Sequence, residues 1–61
     1  MTYKETMNYL KENGKAIGEK QEDNLLAAAV VQAYKFHYAA SGDPGGKALL
    51  IEAVEKYQEA A

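Results

Sequence analysis

Cysteine, arginine and tryptophan are all absent from this chain, and histidine, phenylalanine and proline occur once each. Without cysteine no disulfide can staple the fold, and nothing ties the chain to an oxidising compartment. With His37 as the one imidazole, a Cys/His zinc site is excluded. The lack of arginine removes the side chain best suited to bidentate phosphate and guanine contacts. Seven lysines against nine acids leave a net charge of −2, so nucleic acid is not expected as a partner. The opening residues, MTYKETMNYL, carry no cationic segment followed by an apolar one, and no signal peptide is expected. No apolar run is long enough to span a bilayer, and the longest contains Lys35 and His37. These absences together lead to the expectation of a soluble, cytoplasmic protein with no membrane partner.

Length sets the next constraint. Ordering each of 61 residues costs about 1.5 kcal/mol, so the chain must bury most of its apolar surface or share it with a partner. Hydrophobic residues make up 48% of it, too many for a disordered chain. They concentrate in Leu25–Ala40, LLAAAVVQAYKFHYAA, where Gln32, Lys35 and His37 are the polar interruptions. On a helical wheel Leu25 and Phe36 take one side, Leu26 and Val30 another, and Val31, Tyr34 and Tyr38 a third. An amphipathic helix has one apolar stripe; this one is apolar round most of its circumference. It is therefore expected to be the central element of the fold.

Two weaker patterns flank it. Thr2-Tyr3-Lys4-Glu5 fits a capping box, and Tyr3, Met7 and Leu10 follow as one apolar stripe. Asn13-Gly14 reads as the end of that helix, since glycine takes a left-handed C-terminal position without steric penalty. Ser41-Gly42-Asp43-Pro44-Gly45-Gly46 breaks the chain again. Asp43-Pro44 suits a helix start, but the two following glycines favour a turn and a later start. Beyond it Leu49, Leu50, Ala53, Val54 and Tyr57 share one face, with Glu52, Glu55 and Glu59 on the other. The pattern predicts one all-α domain over residues 1–61, with helices at about 2–13, 19–41 and 46–60. The expected architecture is a small three-helix bundle whose central helix packs against a second copy.

No constellation reaches the level of a catalytic, metal or cofactor motif. The segment from Gly42 to Ala48 resembles the phosphate-binding G-x-x-x-x-G-K-[ST] loop in composition but misses its first glycine, its hydroxyl and the preceding strand. Gly45, Gly46 and Lys47 remain as a weak anion contact at a helix N-terminus. His37 has no carboxylate or nucleophile beside it in sequence, and reads as a hydrogen-bonded core or interface residue. No glutamate stands three residues before it, as a di-iron bundle would require. No enzyme activity and no cofactor are expected.

The leading expectation is a homodimeric protein–protein interaction module, with an interface of Leu25, Leu26, Val30, Val31, Tyr34 and Tyr38. The acidic face of the last helix or the glycine loop would then engage a further protein. Its size and style are those of accessory or inhibitory factors such as phage and mobile elements encode, an association and not a physical argument. The alternative is a small-ligand or anion-binding protein with an aromatic cleft of Tyr34, Tyr38 and Tyr57, and the Gly42–Lys47 loop at its mouth.

Overall fold

Thr2 starts the first helix by the box its sequence announces. In the computed structural model its Oγ1 accepts the Glu5 amide at 3.2 Å, and Glu5 Oε1 accepts the Thr2 amide at 2.9 Å. The model describes the backbone of residues 1–39 and 42–60, and all of their side chains except those of Tyr38 and Ala39. Every element in it is helical: α1 is Tyr3–Lys20, α2 Leu25–Ala39 and α3 Pro44–Ala60. The all-α, three-helix architecture is as the sequence predicts, and no strand occurs among the described residues. The overall extents of 30 × 20 × 17 Å are one helix length by about two helix widths, and each helix packs against both others.

The helix bounds differ from the pattern in two places. α1 does not stop at Asn13-Gly14 but runs on to Lys20. Asn13 turns its Nδ2 back to the Tyr9 carbonyl at 3.0 Å and caps nothing. Each glycine inside a helix costs about 1 kcal/mol. Continuing the helix, however, carries Ile17 into the core at 2% exposure. Burying an isoleucine contributes about 1.5–3 kcal/mol, which with the added backbone hydrogen bonds offsets both Gly14 and Gly18. The second helix consequently begins at Leu25 and not near residue 19. Asn24 caps it, its Oδ1 accepting the Leu26 and Ala27 amides at 2.9 and 3.2 Å. The expected end of that helix at residue 41 lies outside the described residues.

α3 starts two residues earlier than the pattern predicts. Gly42 takes φ +91°, a left-handed conformation that a side chain would strain. Asp43 then caps the helix, its Oδ1 accepting the Gly45 amide at 2.9 Å, with Pro44 as first helical residue where its missing N–H is no loss. Gly46 is buried against α2. A Cβ there would stand 3.5 Å from the His37 Cα and the Phe36 ring, so Gly46 serves close helix packing, and both glycines lie within the helix and do not make a turn.

One core joins the three helices: Ile17 from α1, Ala27, Val30 and Ala33 from α2, and Leu50, Val54 and Tyr57 from α3. The small α2 residues let α3 approach closely, and α2 against α3 is the most extensive contact. Thr6 is the buried polar side chain, satisfied by donating to the Thr2 carbonyl at 2.9 Å.

The capping box makes α1 sensitive to acid. The backbone hydrogen bond from Thr2, and then its hydroxyl, lower the Glu5 pKa below its ordinary 4.5. The fold favours the carboxylate, so the stabilisation is fully present above pH 4.5 and is lost as pH falls through the lowered value. The stability difference between the native chain and Glu5→Ala, read from urea titrations, is expected to persist at neutral pH and to close below pH 4.5.

Candidate functional site

α2 cannot present all its apolar sides outward, because α1 and α3 of the same chain take two of them. The structure distributes the predicted interface residues accordingly. Val30, at 1% exposure, belongs to the subunit's own core, and Leu26 is half-buried against it. Val31 and Tyr34 are half-buried on the α1 side. Leu25 is 90% exposed on the outward side. The side chain of Tyr38 lies outside the described residues. These positions do not share one face.

Two surfaces result. The first is a line along the outside of α2, where Leu25, Ala29, Gln32 and Phe36 recur at helical spacing and are all exposed. Phe36 is 48% exposed, and Leu49 of α3, at 46%, joins it across a shallow depression over Ala29, Ala33 and Ala53. Sequence reasoning places Phe36 beside Leu25 on the wheel but assigns neither it nor Leu49 to the interface. The second surface is a groove of about 600 Å³ between α1 and α2. Met7, Leu10, Ile17, Val31 and Tyr34 line it, with Gly14 and Gly18 in its α1 wall and Lys11 and Lys35 beside it. With Gly14 read as a helix stop, this wall was not legible in the sequence.

The remaining predicted positions do not come together as a ligand site. Tyr57 is in the core near Tyr9, whose pKa is raised by burial and then by repulsion between the two phenolates, whereas Tyr34 faces the α1–α2 groove. The two tyrosines therefore flank α1 on different sides. At the loop, the Asp43 carboxylate already holds the Gly45 amide, and Gly46 is buried. Lys47 Nζ sits 5.0 Å above the Tyr3 ring. A fixed negative charge thus stands where an anion would dock.

His37 links two helices. Its Nε2 is hydrogen-bonded to the Tyr3 hydroxyl, with the rings edge-on at 5.1 Å between centroids. With Lys47 over the same tyrosine, the three residues clasp α1, α2 and α3 at one end of the bundle. Among the described residues, no three His, Asp or Glu side chains gather as a metal site, and no helix is long and apolar enough to cross a membrane.

Compared with protein-family models, with curated proteins and with solved structures, the chain finds no match in any of the three.

Proposed function

We propose that this chain is a small non-enzymatic interaction module that pairs with a second copy of itself through the outward face of α2. The observation that carries the reading is the exposure of Leu25, at 90%, on the same helical line as the half-exposed Phe36. The line is self-complementary. Leu25 and Phe36 stand equally far from its midpoint, and the smaller Ala29 and Gln32 lie between them. Two copies crossing antiparallel set Leu25 of one against Phe36 of the other, with Ala29 and the flexible, hydrogen-bonding Gln32 at the centre. Such an isologous contact is the commonest way for soluble chains to associate. A standard interface covers about 800 Å² per partner, roughly a fifth of the 4229 Å² surface here.

Light scattering across a broad dilution series tests it. The native chain is expected to hold near twice its 6.7 kDa mass at high concentration. The double variant Leu25→Asp, Phe36→Glu is expected to be a monomer that keeps its helices, because Leu25 is exposed, a glutamate at the half-exposed Phe36 position can reach water beside Gly46, and an acid at the start of α2 suits the helix dipole. A native chain that is monomeric throughout, or a variant that keeps the dimer mass, overturns the pairing.

A further inference from the structure

The α1–α2 groove differs from the pairing face in one respect that decides its occupant: both of its rims are cationic. Lys11 stands on the α1 wall and Lys35 on the α2 wall, both exposed. Lys4 and Lys15 continue the α1 rim at helical spacing, while Glu5, Glu12 and Glu19 lie further round that helix. Among the described residues neither Lys11 nor Lys35 is paired with a carboxylate; the ion pairs found are Met1–Glu55 and Glu52–Lys56. A chain with a net charge of −2 thus borders this apolar groove with positive charge.

The shape fits a helix. From Met7 to Gly18 the α1 wall runs about 16 Å, three helical turns, open to solvent along one side. Gly14 and Gly18 stand one turn apart, and a Cβ on either would meet nothing within 4 Å. The wall is lowest there, so a ridge of large side chains, or a backbone, can come close. We infer that the groove receives an amphipathic α-helix of another protein, with an apolar ridge flanked on both sides by carboxylates that pair with Lys11 and Lys35.

Other occupants match less well. Groove against groove in a second copy would bring four of these lysines to one seam. Among the described residues no face of this chain offers the full complement: the Leu25–Phe36 line has Lys35 on one side and, on the other, Glu52 already paired with Lys56, so no apolar ridge is flanked by free carboxylates on both sides. An acyl chain asks for an enclosing cavity with a cation at one end, whereas here two cations face each other across an open groove.

Fluorescence anisotropy with model peptides decides the matter. The probe is a labelled amphipathic peptide of about four helical turns, leucine on one face and glutamate on its flanks, beside a twin with lysine in place of glutamate. At low ionic strength the glutamate peptide is expected to bind about tenfold tighter or more, and to weaken as salt is added. Lys11→Glu with Lys35→Glu is expected to reverse the preference without loss of helicity. Gly14→Ala with Gly18→Ala is expected to raise the melting temperature, since alanine favours the helix, yet to weaken binding several-fold. Equal binding of both peptides, no binding of either, or a groove that takes a fluorescent fatty acid and excludes the peptides would each overturn the inference. Because the Leu25→Asp, Phe36→Glu monomer retains the groove, the same titration on it separates this result from that of the self-pairing.

Discussion

Aspartate in place of Val54 is expected to leave the chain unfolded, whereas aspartate in place of Val31 is expected to leave it folded. Val54 is fully buried in the three-helix core, and the three acids of its own helix, Glu52, Glu55 and Glu59, lie on the opposite face. An unpaired carboxylate there costs several kcal/mol even after relaxation. A core of this size rarely supplies more than about 3–5 kcal/mol in all, so the substitution removes the folded state. Val31 is as apolar in sequence but half-buried on the groove, where a carboxylate reaches water and has Lys35 one turn away. Far-UV circular dichroism and proton shift dispersion distinguish the cases directly. A folded Val54→Asp would mean that α3 is not part of the core; an unfolded Val31→Asp would mean that the groove is closed in solution.

Leu50→Ala is expected to cost about 2–5 kcal/mol, most of the stability available. Leu50 has no exposed surface and sits among Val54, Tyr57 and the small side chains of α2. The alanines that α2 contributes to this core, Ala27 and Ala33, have no further reach with which to fill the space a leucine leaves. The cavity term therefore adds to the transfer term in full. Urea denaturation should show a midpoint near zero denaturant, and a loss below about 1 kcal/mol would show that the core can collapse around the gap.

What could be read in advance was whatever depends on neighbours in sequence. The capping box at Thr2 and Glu5 is local chemistry, and it stands in the structure as the spacing implies. The existence of three helices followed from periodicity. What could not be read was any choice between a local preference and a distant gain. Gly14 has the local character of a stop, but Ile17 three residues on has a place in the core only if the helix continues. Pro44 and the glycines after it suggest a turn until α2 is known to lie against Gly46. The same limit governs the candidate surfaces. Six apolar residues of α2 looked equally available, because the sequence does not say which sides its own α1 and α3 will cover. The groove, made jointly by a glycine-bearing α1 and by Val31, Tyr34 and Lys35, exists only once those helices are side by side.

The unequal attachment of the helices carries a consequence for specificity. α3 is closely seated on α2 over its small side chains, while α1 is held less extensively and is clasped at one end through Tyr3 and His37. Of the groove's two walls, α2 is therefore the more extensively held, while α1 is tied by Tyr3 near one end and by Ile17 in the core towards the other. Should the groove take a helix as inferred above, the α2 wall would fix where that helix lies and the less extensively held α1 wall would set how bulky its side chains can be. A site built that way would tolerate drift in the sequences it meets and would discriminate by charge more than by shape.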